Sequence, residues 1–163
     1  GVKLYVNRVF ITDDDKELLP TWLRFVKGVI DSSDLPLNVS REILQQNRIM
    51  AKIKSNSVKK VLDKIKTISK NKDKYEGFYN EFGRLLKEGV YQEYEHKEAL
   101  TDLLRFKSTK EEGYVSLQDY VDRMDSDQKS IYYITGTNDS ALRESPLLEM
   151  NKEKDIEVLI LDD

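Results

Sequence analysis

The chain has 163 residues, of which 39% are hydrophobic and 35% are charged, and its formal net charge is −3 at pH 7. This length is enough to bury a core in one domain or in two small ones, and no apolar run approaches the length of a membrane span. Because the chain has no cysteine and only one histidine, the sequence excludes disulfides and disfavours a zinc site.

The charge is unevenly distributed along the chain. Residues 1–40 carry a net charge of −1, residues 41–74 carry +8 and residues 75–163 carry −10. A basic segment between more acidic ones can bind a polyanion or can pair with the acidic surface of its own chain. The sequence leaves both interpretations open.

The first elements in chain order are strands. Residues 4–11 predict one β run that ends at an acidic turn over residues 12–15. A short helical piece over residues 18–23 and a second strand over residues 25–30 follow. The chain has no initiator Met and starts at once with a strand pattern, and we therefore expect it to be a fragment of a longer protein.

The middle of the chain is helical. A long helix is predicted from Ser40 to about Ser69, with apolar positions on one face and lysines between them. The next helix has the cleanest apolar period, and such a stripe is more typical of core packing than of a ligand platform; it comprises Tyr75, Phe78, Tyr79, Phe82, Leu85 and Leu86. Gly89 is placed to end this helix, and a third helix is predicted over residues 96–104.

The last third returns to alternating strands and helices. Ser116 and Asp119 have the spacing of a capping box and predict the start of a short helix. The alternation continues with a strand at 130–135, helical pieces at 138–144 and 146–152, and an apolar strand at 156–161. This order predicts a small parallel sheet flanked by helices.

No self-contained catalytic motif is present. The sequence has no Walker-type glycine loop, no nucleophile elbow and no His-Glu-x-x-His motif. His96 lies between Glu95 and Lys97, a context typical of an exposed helix, and we assign it no role. We also predict no metal site.

The loop over residues 34–46 is the segment with the clearest chemistry. Pro36 restricts its conformation, and Asn38 and Ser40 are both good N-cap residues for the helix that follows. Arg41 then lies in or just before a first helical turn, where free backbone N–H groups favour an anion and a guanidinium adds a planar fork of donors. Taken alone, such an arginine is more often a surface residue paired with a neighbouring carboxylate.

This loop and its flanks resemble a known family over essentially the whole chain. The matching segments, in family order, are residues 3–11, residues 25–34, the run Leu37-Asn38-Val39-Ser40-Arg41-Glu42, and residues 104–109, 116–121 and 131–136. Together they resemble the heat-shock protein 90 family of molecular chaperones, in its bacterial type. The resemblance implies that the chain is the C-terminal part of the family's middle domain.

The resemblance implies a mixed α/β (α+β) fold in three parts. Residues 1–42 would be the end of a large α/β subdomain, ribosomal-protein-S5-domain-2-like in the family, with the catalytic loop 34–46 at its border. Residues 43–104 would form a helical connector, and residues 105–163 a small α/β/α subdomain.

The resemblance also implies roles for three residues. Arg41 would reach the γ-phosphate of ATP, held with Mg²⁺ by a separate N-terminal domain, and Asn38 and Gln45 would support this loop or the nucleotide. Gln45 is one helical turn after Arg41, and it could equally be a polar surface residue. Because the family's catalytic carboxylate is on the N-terminal domain, the isolated chain is expected to bind no nucleotide and to be inactive.

The implied partners are the N-terminal ATPase domain, a C-terminal dimerisation domain and client proteins, in a cytoplasmic homodimer without membrane or nucleic-acid contacts. The alternative function is an interaction module whose basic segment, residues 41–74, binds nucleic acid or another polyanion. The alternative is weakened because the aromatic residues are not interleaved with the basic ones. A free-standing enzyme has no motif to support it.

Overall fold

The computed structural model describes residues 1–13, 18–33 and 48–163. Helices and strands are mixed along these residues, and the strands form two three-stranded sheets. The mixed α/β fold class predicted from the sequence is therefore confirmed. No helix within this part of the chain is long and apolar enough to cross a membrane.

The first sheet consists of β1 (Val2–Val6), β2 (Val9–Thr12) and β3 (Gly28–Ser32). The strand order is β2-β1-β3, with β1 antiparallel to β2 and parallel to β3. Every second side chain of β1 is buried, because alternate side chains of a strand point to the same face of a sheet. One face of this sheet therefore belongs to the core.

The prediction of a single β run over residues 4–11 is wrong, because the chain reverses direction at Asn7 and Arg8. Both residues have positive φ angles, 49° and 68°, as the central residues of the tightest hairpin turns do. The backbone N–H of Asn7 donates to the carbonyl of Ser32 and that of Arg8 to the carboxylate of Asp31, each at 3.1 Å. These bonds help to hold a non-glycine residue in a left-handed conformation and tie the turn to the end of β3.

Three helices follow: α1 (Arg48–Ser69), α2 (Lys72–Gln92) and α3 (Lys97–Thr101). The predicted part of the first helix before residue 48 lies outside the described residues. The apolar stripe of α2 is in the core, as predicted, since Tyr75, Tyr79 and Leu86 are buried and Phe78 packs against this cluster. The third helix is shorter than predicted.

The prediction that Gly89 ends α2 is wrong, because the helix continues to Gln92. A Cβ atom at Gly89 would lie 2.7 Å from Cδ2 of Trp22 and 2.8 Å from Cδ2 of Leu100. Both of these side chains are fully buried. Gly89 is therefore needed for the close approach of α2 to the indole, and not for a left-handed cap.

We expect Gly89→Ala to destabilise the chain and Gly77→Ala, in the same helix, to stabilise it. Alanine gains about 0.5–1 kcal/mol over glycine in a helix interior, and at Gly77 the added Cβ meets nothing within 4 Å. At Gly89 the clash should cost about 1–3 kcal/mol, which outweighs that gain. Urea unfolding of both variants measures the difference. Equal shifts of the two midpoints would show that α2 and Trp22 are not in close contact.

The last third of the chain forms the second sheet and its helices. These elements are β4 (Lys107–Ser108), α4 (Leu117–Arg123), β5 (Tyr132–Thr135), α5 (Asp139–Arg143), α6 (Glu149–Glu153) and β6 (Val158–Leu161). The strand order is β4-β6-β5, with β5 parallel and β4 antiparallel to β6. The predicted capping box is present on Ser116 and Asp119. The prediction of a parallel sheet is wrong, because β4 is antiparallel to β6. The sequence did not reveal β4, since a strand of two residues is too short to produce a pattern.

The buried side chains form one large cluster and two small ones. The large cluster joins the first sheet, Trp22 and all three of the helices α1 to α3. The small clusters lie on the second sheet, one around Tyr120 and the other around Leu148. The first sheet and the helices therefore share one core.

Candidate functional site

The loop predicted as the catalytic segment lies in residues 34–47, which are outside the described residues. This applies to Arg41 and to its supporting residues Asn38 and Gln45. What the structure describes is the chain on either side, namely β3 up to Ser32 and α1 from Arg48 onward.

Both sides of this segment are anchored in the same core. Met50, in the first turn of α1 as described, is buried in the cluster that also contains Leu4 and Val6 of β1. Ile30 of β3 packs against this cluster. The structure therefore places both the end of β3 and the start of α1 against one core.

The outer face of α1 is basic. Its exposed lysines are Lys52, Lys59, Lys60, Lys64 and Lys66, while Val58, Leu62 and Ile65 of the same helix are buried. Among the aromatic residues that follow, Tyr75 and Tyr79 of α2 are in the core, whereas Tyr91 of α2 and Tyr94 are exposed. The polyanion interpretation of this segment stays a prediction.

A polar cleft of about 410 Å³ lies between α2 and the start of the last third of the chain. The Arg105 guanidinium lies 4.7 Å from the centre of the Tyr75 ring, and the Tyr75 hydroxyl donates to the carbonyl of Leu103. Burial raises the pKa of Tyr75 to about 12, although the charge of Arg105 acts against this shift. The Tyr75 hydroxyl therefore stays protonated at neutral pH. Its hydrogen bond to Leu103 joins α2 to the chain that follows α3.

A second polar cavity, of about 490 Å³, is lined by the basic side chains of Lys107 and Arg143, which are already paired with carboxylates. Lys107 Nζ lies 2.7 Å from Asp162, and Arg143 Nε lies 2.6 Å from Asp139. The hydrogen bond to Asp162 raises the pKa of Lys107, and the bond from Arg143 lowers the pKa of Asp139. Because these charges neutralise one another, the described residues at this cavity do not fit the phosphates of a nucleotide.

A buried carboxylate connects the elements of the last third. Glu157 is only 5% exposed; it accepts hydrogen bonds from Nε and Nη2 of Arg123 at 2.9 and 2.7 Å and another from the hydroxyl of Ser108. The Tyr120 hydroxyl donates to the Glu157 carbonyl at 2.7 Å. Sequence reasoning missed this network, for which the signal was a single charged residue, Glu157, in the otherwise apolar strand predicted over residues 156–161.

The prediction that His96 is on an exposed helix is wrong. His96 directly precedes α3, and its side chain is only 14% exposed. The charged neighbours Glu95 and Lys97 suggested full solvation, but the folded chain covers most of the imidazole. Of the described residues, one group has the side chains to hold a metal ion, and it consists of Glu93, Glu95 and His96.

Comparison with known proteins gives matches along the whole chain. The family model described as Hsp90 protein matches residues 1–163. The chain is 64% identical over 165 residues to chaperone protein HtpG of Aliarcobacter butzleri, 63% over 168 residues to that of Treponema denticola, and 56% over 164 residues to that of Borreliella burgdorferi. Each match covers 100% of the chain but only 26 or 27% of the relative. The chain thus spans about a quarter of the length of these curated relatives.

Proposed function

Because this chain belongs to the Hsp90 family, we propose that it is the C-terminal part of the middle domain of an ATP-dependent molecular chaperone that assists protein folding in the cytoplasm. Residues 1–42 would complete the large α/β subdomain, residues 43–104 would be the connector, and residues 105–163 the small α/β/α subdomain. The 64% identity to an HtpG chaperone over the whole chain supports this assignment.

Within that protein, Arg41 contacts the γ-phosphate of ATP, which the N-terminal domain binds together with Mg²⁺. Transfer of a phosphoryl group needs little covalent help and gains most from a positioned positive charge. Asn38 and Gln45 support the loop that carries Arg41. The observation that carries the proposal is the anchoring of both flanks of this loop, β3 and α1, in one core.

An arginine that arrives only when two domains dock makes hydrolysis depend on conformation, because the site is incomplete until closure. The partners in this proposal are therefore the N-terminal ATPase domain, the C-terminal dimerisation domain of a homodimer, and client proteins. The chain alone, without the N-terminal domain, hydrolyses no ATP.

A chimera tests this proposal directly. We expect HtpG of Treponema denticola to keep its ATP turnover and its suppression of client aggregation when the matching quarter is replaced by this chain, since the two are 63% identical there. The same chimera with Arg41→Ala should keep its thermal stability and lose turnover. A folded chimera that carries Arg41 and has no turnover would contradict the proposal, as would turnover by the isolated chain.

A further inference from the structure

Three side chains with metal-binding groups converge at the turn between α2 and α3. Glu93 directly follows α2, and Glu95 and His96 complete the turn before α3 begins. One ligand atom from each residue lies within 4.8 Å of the others. In the sequence, this cluster follows α2, whereas the segment 34–47 precedes α1. The function proposed above does not use the cluster.

The imidazole of His96 carries a nitrogen without a partner. Its Nε2 atom is shielded from solvent and makes no hydrogen bond to any described residue, and it lies 3.9 Å from Oε2 of Glu95. A buried polar atom without a partner costs about 1–3 kcal/mol, so that each such atom in a folded protein calls for a specific explanation. A bound metal ion would supply the missing interaction.

One of the three metal-binding groups, the carboxylate of Glu95, is oriented by a hydrogen bond from another helix. The Ser55 hydroxyl of α1 donates to Oε1 of Glu95 at 2.7 Å, which leaves Oε2 of Glu95 on the side of His96. The backbone N–H of Glu93 donates to the carbonyl of Gly89 at 2.7 Å and fixes the end of α2. A partner such as the Ser55 hydroxyl orients a metal ligand and raises metal affinity.

We propose that Glu93, Glu95 and His96 bind one divalent first-row transition-metal ion, with Zn²⁺ as the best fit. An imidazole nitrogen with two carboxylate oxygens suits Zn²⁺ and Co²⁺, whereas Mg²⁺ and Ca²⁺ take oxygen ligands alone. Three protein ligands leave one tetrahedral position to water. Because metal–ligand bonds are about 2.0–2.2 Å long, binding draws the three side chains closer together than in the metal-free arrangement.

The consequence of binding is mechanical. The ion would join the end of α2 to the start of α3 and, through Ser55, would restrain the same turn against α1. These three helices belong to the core that also holds β1, so the metal would stiffen the packing of α1, α2 and α3 against one another.

The test is titration of the 163-residue chain with CoCl₂, followed by visible absorption, and with ZnCl₂, followed by calorimetry. We expect one equivalent to bind, with a rise in the melting temperature. His96→Gln, Glu93→Gln and Glu95→Gln should each weaken binding at least about tenfold, and Ser55→Ala about tenfold through its loss of orientation. Mg²⁺ at the same concentration should neither bind nor compete.

Glu98→Gln is the matched control, because Glu98 is an exposed carboxylate in α3, two residues from His96 and outside the cluster. It should bind Co²⁺ as the unmodified chain does, and circular dichroism should show that every variant is folded. Absence of Co²⁺ and Zn²⁺ binding at millimolar concentration would overturn the proposal. Equal affinity in His96→Gln and Glu98→Gln would overturn it too, since the metal would then be bound elsewhere.

Discussion

Replacing Arg41 by alanine in the full-length protein should lower ATP turnover by roughly one to several orders of magnitude and leave ATP affinity nearly unchanged. In the function proposed above, the guanidinium meets the γ-phosphate only when the domains dock, and there it stabilises the negative charge of the phosphoryl group during transfer. An interaction made mainly in the transition state affects the rate and not the binding of substrate. Steady-state turnover and equilibrium nucleotide binding measure the two quantities separately.

Two further variants make this experiment specific. Arg41→Lys keeps the charge but loses the planar fork of donors, so that its turnover should lie between those of the unmodified protein and Arg41→Ala. Arg48→Ala removes an exposed arginine from the described start of α1 and should leave turnover unchanged. If Arg41→Ala hydrolyses ATP at the full rate, or if Arg48→Ala is equally slow, the assignment of Arg41 is incorrect.

Replacing Arg123 by methionine should have the largest effect on stability in the last third of the chain. The substitution removes both guanidinium bonds to Glu157 and leaves a carboxylate that is 5% exposed with the Ser108 hydroxyl as its remaining side-chain partner. Loss of one member of a buried ion pair costs about 3–5 kcal/mol, because the other charge stays buried. We expect about 3 kcal/mol, since the Arg123 side chain is itself 31% exposed. Urea unfolding at a constant m-value measures this change.

A double variant shows whether the loss of stability comes from the unpaired buried carboxylate of Glu157 or from a loss of packing. Arg123→Met with Glu157→Leu removes both partners and should be more stable than Arg123→Met alone, because no buried charge then lacks its counter-ion. Arg84→Met, an exposed arginine of α2, is the control and should change stability by less than about 0.5 kcal/mol. A double variant that is less stable than Arg123→Met would show that packing, and not charge, explains the effect.

Most of the secondary structure could be predicted because its signals are local. The period of Tyr75, Tyr79 and Leu86 predicted the buried face of α2, and Ser116 with Asp119 predicted the start of α4. The errors occurred where another part of the chain decides the outcome. Asn7 and Arg8 form a hairpin turn whose N–H groups bond to the end of β3, 23 to 25 residues away, and this is not visible as a break in a run of β-forming residues.

Gly89 and His96 show the same limitation on the scale of single residues. A glycine near the end of a helix is most often a cap, but Gly89 is required by the indole of Trp22, which is remote in sequence and reaches α2 through the folded core. The charged neighbours of His96 predicted exposure, whereas in the folded chain its Nε2 atom is buried, 3.9 Å from Oε2 of Glu95. Secondary-structure propensity reflects the influence of neighbours in the chain. The role of Gly89 and the exposure of His96 are instead decided by residues that are neighbours in space.

The sequence by itself determined the family and the mixed α/β class, because these depend on the order and identity of residues; the chemistry expected of Arg41 stays a prediction from the sequence. The tertiary structure decided what packs against what. It placed the two flanks of segment 34–47 in one core, enclosed the carboxylate of Glu157 with Arg123, and brought Glu93, Glu95 and His96 together at a turn. Each of these arrangements depends on burial and on distances between elements, and hydrophobic burial is set by the whole fold rather than by any one segment.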